Sequence, residues 1–142
     1  MNCNDIMKKA VLFLNRDDTV QAAAKLMADA NIGFLPVCDS GKCIGTLTDR
    51  DIVLRLVCFD RPASTRVGDI MTHDVVACSP WDSVETAAQT MADNQVSRLL
   101  INDEDGRLVG IISLSDLPRA SAEKAFEAFR EISERESAPS SP

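Results

Sequence analysis

Two phrases of this sequence hold residues that could act together chemically: Thr48-Asp49-Arg50-Asp51 and Ser113-Leu114-Ser115-Asp116. In each, a hydroxyl stands three positions before a carboxylate. A Gly and aliphatic run of strand character precedes it (Gly45-Thr46-Leu47, Gly110-Ile111-Ile112), and in the first copy Ile52, Val53 and Leu54 continue with helical character. The pattern fits a capping box, in which the hydroxyl accepts an orphan backbone N–H and the carboxylate accepts another in return. It also fits a ligand corner, because a helix start offers N–H groups to an anion and a neighbouring carboxylate accepts both hydroxyls of a ribose. One copy favours capping, since short motifs recur by chance. Two copies in the same frame favour the ligand.

The elements that position these corners repeat with them. Asp5-Ile6-Met7 aligns with Asp69-Ile70-Met71, Asp18-Thr19-Val20 with Asp82-Ser83-Val84, Met27-Ala28-Asp29 with Met91-Ala92-Asp93, and Leu35 with Leu99. After one extra residue in the second copy, Gly41, Gly45 and Asp51 fall on Gly106, Gly110 and Asp116. A repeat of roughly 65 residues is too long for a solenoid unit and points to two copies that fold against each other. Within each copy the order reads strand, helix, strand, strand, helix. The opening strands are expected at Val11–Leu14 and Val75–Cys78, and the helices after them are expected to be capped by Asp18 and Asp82. Ala23, Leu26, Met27 and Ala30 share one helical face, as do Ala87, Ala88, Met91 and Ala92; both stripes read as core. Phe34–Cys38 with Cys43–Leu47, and Arg98–Asn102 with Leu108–Ile112, read as hairpins. A closing helix is expected over Asp49–Cys58, and a second one with Pro118 in its first turn. Beyond Ala120 a separate amphipathic helix is expected, with Ser121 as its cap and Ala122, Ala125, Phe126, Phe129 and Ile132 at helical spacing.

Composition narrows the function classes. The chain has 142 residues, 45% hydrophobic and 26% charged, as expected of one globular unit. No apolar run approaches the roughly 18 residues that span a bilayer, and Met1-Asn2-Cys3-Asn4-Asp5 lacks a signal pattern, so the expected location is cytoplasmic, without a membrane. A net charge of −7 with scattered Lys and Arg argues against nucleic acid as partner. The five cysteines include no C-x-x-C pair, which indicates neither a zinc ribbon nor a disulfide framework. Cys38 and Cys43 flank a turn that could set them opposite each other. The lone His73 reads as a solvated loop residue, and Trp81, after Pro80, as a hydrophobic staple at a helix entry. No nucleophile signature accompanies that histidine, so no catalytic residue and no metal ligand is assigned.

The repeat, its element order, Asp-Ile-Met at each opening, Leu35-Pro36-Val37 and the paired G-x-x-[ST]-x-x-D together resemble a tandem pair of CBS domains, a Bateman module of stand-alone prokaryotic type. The resemblance implies an α/β fold (α+β by some conventions): two βαββα repeats packed sheet to sheet about a pseudo-two-fold axis, plus a C-terminal helix. Its domains would be residues 4–60 and 69–120, joined by a linker at 61–68 and followed by the helix at 121–136 and a disordered tail at 137–142. It implies a non-enzymatic regulatory, energy-sensing module that needs no cofactor. Such a module binds an adenosyl ligand (AMP, ADP, ATP or S-adenosylmethionine) in two clefts and signals occupancy to a protein in trans. For the first cleft it implies Thr48, Arg50, Asp51, Met71, Thr72 and Val76; for the second, Ser113, Ser115, Asp116, Arg98, Met7, Leu12, Gly33 and Phe34. Because Arg50 is matched by Ser115, the first cleft is expected to be tighter for a phosphorylated ligand. The resemblance also implies a homodimer through the closing helices, with Ile52, Val53, Leu56 and Leu117 at the contact. The competing reading is an interaction or oligomerisation module without nucleotide, sensitive to redox state or metal through its cysteines.

Overall fold

Repetition in the sequence becomes repetition in the backbone. The computed structural model describes residues 1–137, with side chains through 130. A short helix α1 (Cys3–Ile6) precedes the first repeat: β1 (Leu14–Asn15), α2 (Val20–Ala30), β2 (Phe34–Asp39), β3 (Lys42–Thr48) and α3 (Asp49–Arg55). The second follows as β4 (Ala77–Cys78), α4 (Val84–Asn94), β5 (Arg98–Asn102), β6 (Leu108–Ser113) and a helix α5 (Arg119–Ser137). The strands form two three-stranded sheets, ordered β1-β2-β3 and β4-β5-β6. In each, the first strand runs parallel to the second, and β3 returns antiparallel to β2.

The two compact units do not coincide with the two repeats. One contains residues 10–75 with 104–108; the other contains residues 1–9, 76–103 and the chain from Val109 on. The first unit is built on Val20, Ala23 and Met27 of α2 against Leu35, Val37 and Leu47 of its sheet, joined by Val67, Ile70 and Met71. The second sets Ala87, Ala88 and Met91 of α4 against Leu99, Ile101 and Ile112, with Cys3 from the N-terminal segment. In both helices the buried residues recur at three and four positions, as one apolar face requires.

Several elements depart from expectation for local reasons. The helices α2 and α4 are capped by Thr19 and Ser83, whose side chains accept from Ala22 N and Thr86 N. The carboxylates of Asp18 and Asp82 instead accept from Asn15 N and Ser79 N, closing the preceding turns. The opening strands shrink to two residues each. The first closing helix stops at Arg55 and continues, after buried Leu56, as a 3₁₀ turn, Val57–Phe59. The second closing helix is replaced by one 3₁₀ turn, Leu114–Asp116, because Pro118 holds Leu117 extended (ψ 147°). The segment after Pro118 then forms a single helix, α5, rather than a closing helix followed by a separate one. Ser121 therefore lies buried within its first turns instead of capping it. Trp81 is 71% exposed and staples nothing, and His73 is exposed. Ser137 ends α5, and the rest of the expected tail lies outside the described residues.

Candidate functional site

Each corner is held by its own backbone. At the first, Thr48 is the N-cap of α3: its hydroxyl accepts from Asp51 N at 3.1 Å, and Asp51 Oδ2 accepts from Thr48 N at 3.0 Å. At the second, Asp116 Oδ2 accepts from Ser113 N at 2.8 Å and from the Ser113 hydroxyl at 3.0 Å. The hydroxyls of Ser113 and Ser115 are hydrogen-bonded at 2.8 Å. Capping is therefore real in both copies, and it consumes the same oxygen, Oδ2.

The other oxygen is differently placed. Asp51 Oδ1 lies 3.8 Å from Arg55 Nη2, and Asp116 Oδ1 lies 3.8 Å from Lys8 Nζ. Both separations exceed a charge-assisted hydrogen bond of about 2.7–2.9 Å. The two carboxylate side chains are only 14% and 16% exposed. Each corner thus presents a half-committed carboxylate with an unsaturated oxygen facing a cation. Neither helix adds much, since α3 has seven residues and the second turn three; the N-terminal dipole is correspondingly small.

The opening segment of the other repeat closes on each corner. Thr46 and Thr72 exchange two backbone hydrogen bonds of 2.9 Å, and Lys8 and Ile111 exchange bonds of 2.9 and 3.0 Å. The Thr72 hydroxyl reaches both Asp51 oxygens at 3.4 Å. Met71 packs on Gly45 and Met7 on Gly110: a Cβ at Gly45 would lie 2.5 Å from Thr72 O and 2.9 Å from the Met71 sulfur, and one at Gly110 2.5 Å from the Met7 sulfur. Glycine is required there by approach, since only a missing side chain admits the crossing segment.

The structure brings Thr48, Arg50, Asp51, Met71 and Thr72 into one unit, and Ser113, Ser115, Asp116, Arg98 and Met7 into the other. Val76 belongs to the second unit, where its carbonyl accepts from Leu100 N at 3.2 Å. Leu12, 49% exposed, belongs to the first. Gly33 and Phe34, grouped by the resemblance with the second corner, sit against the first: Asp49 N donates to Gly33 O at 3.0 Å, and Phe34 pairs with Thr48. Their counterpart Ser97 accepts from Leu114 N at 3.1 Å. Arg50 is exposed, and its backbone N–H donates to its neighbour Asp49.

Two residues escaped the sequence reading. Arg55 stands one helical turn beyond Asp51 and also donates to Ile70 O at 3.0 Å; the i,i+4 spacing was the available signal. Lys8 follows Met7 as Thr72 follows Met71, so the alignment of the repeat openings already pointed to it. Its charge gives the second corner a cation besides Arg98, which the resemblance assigns to that cleft.

Comparison with known proteins bears on this arrangement. The CBS domain family model matches residues 3–57 and again 67–123. The chain is 40% identical over 131 residues to the CBS domain-containing protein YhcV of Bacillus subtilis, covering 91% of this chain and 93% of that protein. The solved CBS domain pair of protein MJ0100, in complex with 5-methylthioadenosine and S-adenosyl-L-methionine, superposes with a TM-score of 0.73 at 26% identity, over 87% of this chain and 98% of that one. The cytosolic domain of the Mg2+ channel MgtE, in complex with ATP, superposes with a TM-score of 0.71 at 28% identity, over 81% of this chain and 46% of that one. With both repeats matched and a full-length relative at this identity, the chain belongs to the CBS domain family and carries the domain twice in tandem.

Proposed function

We propose that this protein is a non-enzymatic regulatory module that binds an adenosyl compound at its two hydroxyl–carboxylate corners and transmits occupancy to a partner protein. The observation that carries this reading is the division of labour within each carboxylate. Oδ2 of Asp51 and of Asp116 is committed to the corner backbone, while Oδ1 is held only loosely: a cation lies 3.8 Å away in both, and in Asp51 the Thr72 hydroxyl reaches it at 3.4 Å. Capping and ribose recognition therefore draw on different oxygens of one side chain, and neither role excludes the other. A vicinal diol donating to Oδ1 would replace a weak ion pair with charge-assisted hydrogen bonds. Arg55 and Lys8 would then be released toward the anionic groups of the ligand, phosphates or the amino-acid carboxylate of S-adenosylmethionine. The ligands named for the MJ0100 pair and the MgtE domain share an adenosyl group, which supports that class here. Occupancy acts by stabilising whichever conformation binds the ligand better.

Calorimetric titration with AMP, ADP, ATP and S-adenosylmethionine tests the proposal. Saturable binding of at least one is expected, weakened by Asp51→Asn or Asp116→Asn; flat isotherms for all four would overturn it.

The proposed assembly is a homodimer. Leu56 and Leu117, expected at its contact, are 6% and 7% exposed within their own units and are unavailable. The surface that remains is Val53, Leu54, Val57 and Phe59, exposed by 52%, 44%, 63% and 73% on α3 and the turn after it.

A further inference from the structure

The β2–β3 hairpin turns on Ser40 and Gly41, both in the left-handed region (φ 52° and 83°), which makes a two-residue connection with Asp39 opposite Lys42. The next pair inward is Cys38 opposite Cys43. A bulge lies just beyond it, where the register shifts between Val37 and Cys38 and leaves Ile44 without a partner. Cys38 O accepts from Arg16 N at 3.3 Å, and Cys43 N donates to Gly106 O at 3.3 Å. The two residues thus direct their backbone groups away from each other, as in a non-hydrogen-bonded cross-strand pair. Such pairs hold their Cα atoms about 4.5 Å apart, within the range of about 4.4–6.8 Å that a disulfide spans. The Cys43 thiol donates to Gly45 O at 3.6 Å, a weak bond that a change of χ1 gives up.

The repeat does not need these sulfurs. Asn102 and Leu108 stand at the corresponding places of the second hairpin. We propose that Cys38 and Cys43 are a site of reversible thiol oxidation, closed by hydrogen peroxide into a disulfide across the hairpin without change of its register. This inference is independent of the ligand reading. Cys43 is the more accessible of the two, half-buried where Cys38 is 2% exposed. Its thiolate attacks one peroxide oxygen; the O–O bond breaks, hydroxide leaves, and a sulfenic acid forms on Cys43. The Cys38 sulfur then attacks the Cys43 sulfur, forming the S–S bond and breaking the S–O bond. The sulfurs lose two electrons, the peroxide gains them, and both thiol protons end in two molecules of water. Burial pushes the Cys43 thiol up to about 11 and raises Cys38 as well, so the step is slow at neutral pH and calls for sustained oxidant.

Lys42 lies between the two cysteines, which makes the product easy to read. Trypsin separates Cys38, in the peptide Leu26–Lys42, from Cys43, in the peptide Cys43–Arg50, unless a disulfide joins them. The experiment treats reduced Cys58→Ser protein, which lacks the exposed thiol, with hydrogen peroxide. Thiols are then counted under denaturing conditions, and tryptic peptides are mapped before and after reduction. The expected result is loss of two thiols, an intact mass lower by two hydrogens, a linked pair of these peptides, and full reversal by dithiothreitol. In Cys38→Ser/Cys58→Ser protein the linkage must vanish while Cys43 accumulates sulfenic or sulfinic acid. Retention of all thiols, bridging of Cys3 to Cys78 instead, or loss of thiols only through linked dimers would each overturn the proposal.

Discussion

Replacing Gly45 with Ala is expected to destabilise the protein more than the same change at Gly110, although the two glycines are equivalent in the repeat. A Cβ on Gly45 would lie 2.5 Å from the carbonyl oxygen of Thr72, with the Met71 sulfur at 2.9 Å. The carbonyl cannot withdraw without breaking the pair of 2.9 Å bonds that Thr72 exchanges with Thr46. The three atoms nearest a Cβ on Gly110 all belong to the Met7 side chain, at 2.5, 2.8 and 3.1 Å, and the two closest, Sδ and Cγ, can move aside by rotation about the side-chain bonds. Loss of two backbone hydrogen bonds at about 0.5–1.5 kcal/mol each, less the roughly 0.4–1 kcal/mol that Ala returns by restricting the unfolded chain, leaves about 0–2.6 kcal/mol for Gly45→Ala, roughly 1.3 at the midpoints. For Gly110→Ala, an off-rotamer Met7 costs about 0.5–1.5 kcal/mol, and the same return nearly cancels it. Urea denaturation measures both, provided the slope is unchanged, and hydrogen exchange should show the Thr46 and Thr72 amides accelerated only in Gly45→Ala. A second change separates the causes: Met7→Ala should relieve Gly110→Ala, and Met71→Ala should not relieve Gly45→Ala. A Gly45→Ala protein as stable as the parent, or a costlier Gly110→Ala, would refute the argument that backbone rather than side chain closes the first corner.

Three further outcomes follow from the geometry. Asp51→Asn retains a carbonyl for Thr48 N but loses the anionic Oδ1, so it should keep most of the stability while weakening adenosyl ligand binding by about 1.5–3 kcal/mol; Asp51→Ala should lose the cap too, by about 1 kcal/mol in thermal or urea unfolding. Burial raises the Cys3 thiol from 9.0 to about 11. The folded state therefore holds that proton more tightly than the unfolded one, and its contribution, on the order of 2 kcal/mol, is complete below pH 9 and disappears as pH climbs through 11; urea midpoints across this window should fall less steeply in Cys3→Ala. Val57→Glu with Phe59→Glu should shift the protein toward monomer in sedimentation velocity while leaving the circular dichroism spectrum intact, and a parent already monomeric at micromolar concentration would remove the proposed dimer.

What could be read from the sequence was what depends on neighbours in the chain. The hairpins, the central helices and both corners rest on local signals: Ser40-Gly41 sets a turn, and a hydroxyl three residues before Asp51 or Asp116 sets a corner. That each signal occurs twice removed most of the ambiguity. The misreadings cluster where two neighbouring residues compete for one role, or where a partner comes from far away. Thr19 and Ser83 displaced the adjacent aspartates as caps because both types are good caps and the aspartates had another N–H to accept. Pro118 was placed inside a helix it in fact delays, since its effect on the preceding residue outweighed the apolar pattern. Leu56 and Leu117 could not be told from surface apolar residues by type alone. The ion pair between Lys8 and Asp116 spans most of the chain, and only the alignment of the two repeat openings hinted at it.

The crossing of residues 1–9 into the unit of the second repeat has a consequence for how the chain is made. Asn2 bridges to Ser83 and Lys8 to Ile111, so these early residues wait for partners synthesised much later. At about 5–20 residues per second, the interval between Lys8 and Ile111 is on the order of 5–20 s. Through that time Ile6 and Met7, which finally pack on the second core, have no core to join. A nascent chain stalled before β6 would therefore expose Ile6 and Met7 to chaperones and proteases, and a ribosome pausing there would be felt about a hundred residues upstream.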